Sequence, residues 1–304
     1  MSTTTTTQTP ATVPGLAGVT MLTALTPVVW GTTYIVTTEF LPAGHPMFAA
    51  LMRALPAGLL ALLLSRTLPR GNWWWKALIL GTLNIGLFFP LLFLTAQRLP
   101  GGVAATLGAI QPIIVAFLAV AILGEQFSRW RLGWGIVEVT GIGLVVLGPG
   151  ASLDTIGVVA GLAGAASMAF GITLTKRWGR PEGVSAIALA GWQLTAGGLV
   201  LLVPTLAIEG TPQQIDAPAV GGYLWLGLIG GLLAYTLWFA GIRRLPVTAT
   251  ALLGLLSPLT AAALGILFLG QLLNPVQVAG FILALSALLA GQLTPRTRKG
   301  PPAS

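Results

Sequence analysis

The chain has 304 residues, of which 55% are hydrophobic and only 7% are charged, a composition that excludes a soluble globular domain of this length. Its net charge of +8 would suit an anionic partner such as nucleic acid. The positions of the Lys and Arg residues are instead explained by membrane topology, so no nucleic acid is expected. Cysteine is absent, which excludes disulfides and thiol chemistry.

The apolar residues form continuous runs of about 20 residues, the length that a helix needs to cross the hydrocarbon core of a bilayer. A transmembrane barrel would show shorter segments of alternating polarity. We therefore predict an all-α membrane protein whose first residues, 1–15, form a disordered cytoplasmic tail. The ten predicted transmembrane helices are 16–37, 46–65, 74–96, 101–122, 131–149, 156–176, 184–206, 219–241, 247–268 and 275–293.

The positively charged residues predict the orientation of these helices, because Lys and Arg accumulate in cytoplasmic loops. With the N-terminus in the cytoplasm, thirteen of the 15 Lys and Arg residues fall on the cytoplasmic side. Of the other two, Arg98 lies in an outer loop and Arg53 lies within the second helix. We therefore expect a multi-pass protein of the bacterial inner (plasma) membrane with both termini cytoplasmic.

One stretch of the chain occurs twice. Arg98-Leu99-Pro100 returns 146 residues later as Arg244-Leu245-Pro246, and 11 of the 28 pairs between 98–125 and 244–271 are identical. Each repeat then holds five helices, so the second would enter the membrane from the opposite side, giving two inverted repeats around a central cavity. The predicted units are a first repeat at 16–150, a second repeat at 151–293 and a basic cytoplasmic tail at 294–304.

This pattern resembles the EamA-type drug/metabolite transporter (DMT) superfamily. The resemblance is carried by the two repeats of five helices, by Trp30-Gly31, by Leu-Pro before helices four and nine, and by Pro112 and Pro258 within them. It covers about 18–293, and within the superfamily the chain is most similar to aromatic amino-acid exporters of the YddG type. The resemblance implies a substrate cavity built mainly by helices one, three, four, six, eight and nine.

We expect aromatic and neutral polar side chains on those helices to line the cavity. Trp30, Thr33 and Tyr34 are spaced i, i+3, i+4 and so share one face of a helix. Proline frees a backbone carbonyl one turn before it, which makes Pro112 and Pro258 candidate hinges. The predicted substrate-binding residues are Trp30, Thr33, Tyr34, Asn84, Phe88, Gln111, Phe170, Tyr235, Trp238 and Ser257.

Several candidates also have a structural interpretation. The deep aromatic residues could pack against neighbouring helices, and the two prolines could be simple packing kinks. Glu138, the carboxylate well inside a predicted helix, either carries a proton in exchange for substrate or is partly hydrated or paired with a basic group. Arg53, with Gln193 at its place in the second repeat, is interpreted as structural. Glu125, with Gln271 at its place, is expected to form a local ion pair.

The leading functional hypothesis is a secondary transporter that exports small metabolites, in particular aromatic or apolar amino acids, by alternating access. Its expected partners are the substrate and the lipid bilayer, and a monomer would suffice. The alternative is an exporter of nucleosides or cationic drugs with proton coupling; a channel fits less well because no selectivity filter is evident. An enzyme is not expected, because the sequence offers no metal-ligand cluster and no nucleophile with a base. No cofactor is predicted, since a phosphate-binding loop is missing.

Overall fold

The computed structural model describes residues 16–125, 128–146, 154–242, 253 and 256–292. Within these residues the secondary structure is helical and contains no strand, as predicted. We number ten helical elements in chain order. They are α1 (Leu16–Gly31 and Thr33–Glu39), α2 (Pro46–Ser65), α3 (Trp73–Gly81, Thr82–Leu87 and Phe88–Arg98), α4 (Gly101–Gly108 and Gln111–Leu123), α5 (Arg129–Val146), α6 (Thr155–Trp178), α7 (Ala186–Pro204 and Thr205–Glu209), α8 (Ala217–Leu224, Trp225–Leu233 and Ala234–Ile242), α9 (Leu256–Leu269) and α10 (Pro275–Gln292).

Seven of these elements, α1 to α4 and α6 to α8, are long and apolar enough to cross a membrane. The described parts of the other three contain shorter apolar helices, Leu132–Val145, Leu256–Leu269 and Pro275–Gly291. The helical bounds lie within a few residues of the predicted spans wherever both ends are described. The start of α9 and the predicted tails 1–15 and 294–304 lie outside the described residues.

Two helices of the sequence repeat, α4 and α9, end in the same way. Each is followed by a glycine in the left-handed conformation, Gly124 with φ 69° and Gly270 with φ 62°. The amide of the next residue then turns back to bond a carbonyl inside the helix, at 3.2 Å from Glu125 to Ala119 and 3.0 Å for Gln271. Only glycine adopts this φ at little cost, which explains why both repeats carry it.

Helices α3 and α8 each contain a π-helical segment, at Thr82–Leu87 in α3 and at Trp225–Leu233 in α8. Asn84 lies in the first segment and Gly230 in the second, 146 residues apart, the spacing of the sequence repeat. Wide turns of this kind occur frequently at functional sites. Their equivalent positions place an irregular backbone at the same level of both repeats.

The helices of one half pack directly on those of the other. In the α2–α7 contact, a Cβ on Gly58 would lie 2.5 Å from the Thr195 amide nitrogen, and one on Gly198 would lie 2.8 Å from Leu55 Cβ. Residues later in α2 contact residues earlier in α7, so the two helices are antiparallel. Small residues permit this close approach, which is how helices associate where lipid removes the hydrophobic driving force.

Helices α5 and α10 form a second antiparallel pair of this kind. A Cβ on Gly141 would lie 2.5 Å from the amide nitrogen of Ala284, and one on Gly280 would lie 2.6 Å from Leu144 Cβ. Trp130 at one end of the pair donates a 2.9 Å hydrogen bond from its indole nitrogen to the Ala290 carbonyl. The two peripheral helices are therefore held together along most of their length.

The contacts nearer the centre also occur in equivalent pairs. Helix α3 lies against α7 where a Cβ on Gly81 would be 2.6 Å from the Gln193 carbonyl oxygen. Helix α8 lies against α2 where a Cβ on Gly227 would be 3.7 Å from the Arg53 carbonyl oxygen. Gly227 follows Gly81 by 146 residues, and Arg53 is the sequence counterpart of Gln193.

Helices α1 and α8, and likewise α3 and α6, run antiparallel to each other. Thr26 Oγ1 donates to the Ala234 carbonyl at 3.0 Å, and Trp30 Nε1 donates to the Gly230 carbonyl at 3.0 Å. In the α3–α6 contact a Cβ on Gly157 would lie 2.9 Å from Leu99 Cγ, and one on Gly164 would lie 3.4 Å from Leu91 Cβ. The first helix of the second half thus runs opposite to α3.

The α5–α10 contact predicts that Gly141→Ala destabilises the protein. Its Cβ would meet backbone atoms of α10, which cannot rotate away, and overpacking of this kind costs about 1–3 kcal/mol. Thermal unfolding of the purified protein in detergent should show a lower Tm. Gly143→Ala, on the same helix with no atom within 4 Å of its Cβ, is the control and should leave Tm unchanged or slightly higher. Equal Tm values for both variants would contradict the tight contact.

Candidate functional site

Three of the predicted aromatic residues meet where α1 crosses α8. The ring centroid of Trp30 lies 5.1 Å from that of Tyr235 and 5.5 Å from that of Trp238, with the planes tilted by 56° and 55°. The Trp30 indole nitrogen is fixed by its hydrogen bond to the Gly230 carbonyl. We call Trp30, Tyr235 and Trp238 the aromatic cluster. Because α1 and α8 belong to different halves of the chain, this cluster links the two halves.

Thr33 and Tyr34 are buried, but Tyr34 has different neighbours from Trp30. Helix α1 is interrupted at Thr32, and a Cβ on Gly101 of α4 would lie 3.3 Å from Tyr34 Cβ. Tyr34 therefore lies at the α1–α4 contact, whereas Trp30 bonds α8. The shared helix face predicted for Trp30, Thr33 and Tyr34 is divided between two sets of neighbours.

Asn84 forms a polar contact between the halves that the sequence analysis did not foresee. Its Nδ2 donates a 2.7 Å hydrogen bond to Gln193 Oε1 of α7 and lies 3.5 Å from Thr175 Oγ1 of α6. A Cβ on Gly171 would collide with the Asn84 side chain, so α6 approaches closely here because residue 171 is a glycine. Asn84 thus joins three helices.

Phe88 packs against its own helix and α6, and Phe170 is partly exposed. The Phe88 ring centroid is 5.8 Å from that of Phe89, and its Cδ2 would be 3.7 Å from a Cβ on Gly164. Phe170 of α6 is 43% exposed. Its position as the counterpart of Trp30 therefore does not give it the enclosed setting of Trp30.

One predicted hinge, Pro112, lies at an interruption of α4, and the other, Pro258, lies in the first described turn of α9. In α4 the first helical segment ends at Gly108, and Pro112 with the preceding Gln111 starts the second segment. In α9, Ser257 precedes Pro258, and its carbonyl oxygen would be 2.6 Å from a Cβ on Gly31. The part of α9 around Ser257 therefore packs against α1 next to Trp30.

Glu138 is only 3% exposed and its Oε1 has no hydrogen-bond partner among the described residues. It follows Trp134 by one helical turn and precedes Gly141 and Val145, and this face of α5 packs against α10. Helices α5 and α10 are not among those that carry the aromatic cluster. Glu138 is thus separated by position from that cluster.

Arg53 is a buried charged residue that lies beside the same stretch of α8 as Trp30. The residue is 3% exposed, and its Cζ lies 4.5 Å from the Phe89 ring centroid and 5.9 Å from that of Phe93. A Cβ on Gly230 would lie 3.9 Å from Arg53 Nη2. Gly230 therefore lies beside the guanidinium and also beside Trp30, because the Gly230 carbonyl accepts the hydrogen bond of the Trp30 indole.

Polar contacts tie the two halves at one end of the bundle, which we call the Gly101 end. Gln271 Oε1 accepts a 2.9 Å hydrogen bond from the Gly101 amide at the first turn of α4. Arg98 Nη1 bonds Asp154 Oδ2 at 2.8 Å across the start of α6. The Gly157 amide and the Arg98 guanidinium hold the pKa of Asp154 below its usual range, so this carboxylate stays charged in mild acid.

At the other end of the bundle, which we call the Glu125 end, the ties are ionic. Glu125 Oε1 forms an ion pair with Lys176 Nζ of α6. A local ion pair was predicted for this carboxylate, and this partner lies on another helix. Arg177 Nη1 donates a 2.7 Å hydrogen bond to the Ile122 carbonyl. Within the described residues no three His, Cys, Asp or Glu side chains are grouped as a metal site would need.

The sequence analysis named the residues of the aromatic cluster as candidates, but it missed the Asn84–Gln193 contact and interpreted Arg53 as structural. The Asn84–Gln193 contact joins residues more than a hundred positions apart, and Arg53 lacks hydrogen-bond partners for Nε and Nη1 among the described residues. Local spacing in the sequence predicts neither feature. The one available signal was that Arg53 and Gln193 occupy equivalent places in the two repeats, which marks both as polar positions inside the bundle.

The chain was compared with known proteins. The EamA-like transporter family matches residues 17–147 and 155–290. Protein PecM of Dickeya dadantii is 45% identical over 266 residues, covering 88% of this chain and 89% of PecM. The uncharacterized transporter YwfM of Bacillus subtilis is 31% identical, covering 89% and 92%.

A solved protein structure has a TM-score of 0.63 at 16% identity, over 90% of this chain and 96% of that one, which supports the fold. The two family matches fall on the two halves that pack against each other through α2–α7 and α5–α10. This chain is therefore a multi-pass membrane transporter of the EamA family, in the drug/metabolite transporter superfamily.

Proposed function

We propose that this transporter exports aromatic or apolar amino acids across the bacterial inner membrane by alternating access. The aromatic cluster carries this proposal. It brings the ring centroids of Tyr235 and Trp238 within 5.5 Å of that of Trp30 at a contact between the two halves of the chain. A substrate held there would touch both halves at once, so its binding would respond to their relative motion.

The mechanism is a rocking of two inverted repeats of five helices. The antiparallel α3–α6 and α1–α8 contacts support it. If successive helices cross the membrane in alternate directions, α1 and α3 run the same way. Helix α6 is antiparallel to α3, so it runs opposite to α1. The equivalent environments of Gly81 and Gly227 support a two-fold relation between the repeats. Exchange of the two arrangements would open the cavity first to one side and then to the other.

The chemistry of the site favours an aromatic or apolar side chain. Tryptophan and tyrosine rings contact other rings edge to face or offset, at centroid separations of 4.5–7 Å. Ser257 of α9, whose carbonyl lies close to Gly31 of α1, would offer a neutral hydroxyl to the polar end of an amino acid. The energy source would be the substrate gradient or a proton gradient.

A second candidate is an exporter of nucleosides or cationic drugs that couples transport to protons through Glu138. The observation in its favour is the buried Glu138 carboxyl with Oε1 lacking a donor among the described residues. An ionisable group inside a membrane is a functional candidate by default. Its place in the α5–α10 contact would require coupling through helix packing, because it does not face the aromatic cluster.

Single-cysteine labelling tests the inverted topology, and the cysteine-free chain gives no background. Arg70→Cys places a thiol between α2 and α3, and Thr211→Cys places one between α7 and α8. If the repeats are inverted, these equivalent loops lie on opposite sides of the membrane. A membrane-impermeant maleimide added to intact cells should label the Thr211 variant and should reach the Arg70 variant only after permeabilisation. Labelling of both from one side would exclude inversion.

Uptake into proteoliposomes tests the substrate. Vesicles with the protein should accumulate labelled phenylalanine or tryptophan faster than empty vesicles, with saturation and counterflow stimulation. Trp30→Ala should lower the uptake roughly fivefold, because aromatic contacts contribute about 1 kcal/mol beyond burial. Trp74→Ala, at an exposed tryptophan of α3, is the matched control and should have little effect. Equal rates for a broad amino-acid panel would refute aromatic selectivity.

Glu138→Gln tests proton coupling. If Glu138 carries the proton, the variant should lose the stimulation of uptake by an imposed pH gradient while counterflow continues, because exchange needs no net proton movement. The measurement is the initial uptake rate at several pH gradients in the wild type and the variant. An unchanged pH dependence would show that Glu138 does not couple protons to transport.

A further inference from the structure

Arg53 is a buried cation for which the described residues supply little compensation. Its side chain lies inside the bundle on α2, and neither Nε nor Nη1 has a hydrogen-bond partner there. Removing a charge from water is costly unless an opposite charge or several hydrogen bonds replace the water. A charged group retained in this state inside a membrane protein therefore indicates a function that uses the charge.

No carboxylate of the chain is placed to neutralise Arg53. All seven acidic residues belong to the described part of the chain, and each has another location. Two are exposed, two form ion pairs with other cations, two cap helices and one faces α10. These are, in turn, Glu39 and Glu182, Glu125 and Asp154, Glu209 and Asp216, and Glu138.

The surroundings of the guanidinium are aromatic and apolar. The face of the Phe89 ring lies 4.5 Å from Cζ, close enough for a cation–π interaction, which replaces only part of the lost hydration. On the side of α8 lies Gly230, where an added Cβ would be 3.9 Å from Arg53 Nη2. The Arg53 donors and the Trp30 indole thus both lie beside this one glycine.

The equivalent place in the other half shows what is missing. There Gln193 occupies the position of Arg53, and Asn84 occupies the position of Gly230. The two amides are joined by a 2.7 Å hydrogen bond from Asn84 Nδ2 to Gln193 Oε1. On the Arg53 side, Gly230 occupies the position of Asn84 and has no side chain, and a charged arginine occupies the position of Gln193. That half therefore has a side-chain donor but no side-chain acceptor at the equivalent place.

We propose that Arg53 binds the carboxylate of the transported substrate, so that the cargo is a small carboxylate-bearing molecule with an aromatic or apolar part. The carboxylate would accept hydrogen bonds from Nε and Nη1, and the apolar part would contact the aromatic cluster across Gly230. The π-helical segment that carries Gly230, Trp225–Leu233, is the backbone that would move to admit it. This proposal rests on the transport function proposed above and specifies its substrate class.

Competition for uptake tests the proposal with three phenyl compounds that differ in charge. Phenylalanine and 3-phenylpropionate carry a carboxylate, whereas phenethylamine does not. In the wild type the first two should inhibit uptake of labelled phenylalanine and phenethylamine should not. Arg53→Gln should weaken inhibition by both carboxylates by about 100-fold, the scale of removing one member of a buried charge pair. Arg53→Lys should restore part of it, because it keeps the charge without the planar fork.

Thermal unfolding separates this role from a structural one. The variant Arg53→Gln removes an uncompensated charge, so without ligand it should melt at or above the wild-type temperature, and it should lose the stabilisation by 3-phenylpropionate. If Arg53 only holds helices together, the variant should melt lower and keep the ligand response. Arg70→Gln, at an exposed loop arginine, is the control and should match the wild type in both measurements.

Gly230→Ala gives an independent variant that should fold. Its Cβ would meet neighbours at 3.7 Å or more, an ordinary contact, but would occupy the space beside Nη2. We expect weaker inhibition by carboxylates at unchanged Tm. Equal inhibition by phenethylamine and 3-phenylpropionate in the wild type would overturn the role of Arg53 and leave the transporter intact. Absence of saturable uptake for every compound would overturn the transport proposal itself.

Discussion

The structure depends on one constraint, which is that lipid offers no hydrogen bonds to the protein. Polar groups within the spanning helices are therefore stabilised mainly by partners inside the chain. Backbone groups find these partners within helices, and the threonine hydroxyls of α1 do so by bonding carbonyls, as Thr26 does with Ala234. The helices can approach closely enough for such contacts because glycines such as Gly58 and Gly141 lie between them.

The same constraint distinguishes the two halves. In one half the polar position inside the bundle holds a hydrogen-bonded pair of amides, Asn84 and Gln193, and is neutral. In the other the position holds Arg53 beside Gly230, with its charge over the Phe89 ring. The two halves thus differ in charge at equivalent positions. If they rock as proposed, this difference would let one motion carry a substrate that has distinct ends.

The sequence predicted the helical class and the spans with two described ends, because these follow from local runs of apolar residues. It also named the residues of the aromatic cluster as candidates, but it did not predict that they meet. It could not predict which helices touch. The i, i+3, i+4 spacing placed Trp30 and Tyr34 on one face, but the interruption at Thr32 gives them different neighbours. Phe170 shows the same limit, since equivalence with Trp30 fixes its level in the helix and not its burial. The repeat residues at Arg244 lie outside the described part of the chain.

The two ends of the bundle are closed by different chemistry. At the Gly101 end a neutral side-chain oxygen of Gln271 holds a backbone amide, whereas at the Glu125 end the tie is an ion pair with Lys176, whose side chain is 65% exposed. Dissolved salt weakens an exposed ion pair and leaves an amide hydrogen bond almost unaffected. If the carrier alternates between two open forms as proposed, the balance between them should therefore shift with ionic strength at one face of the membrane alone.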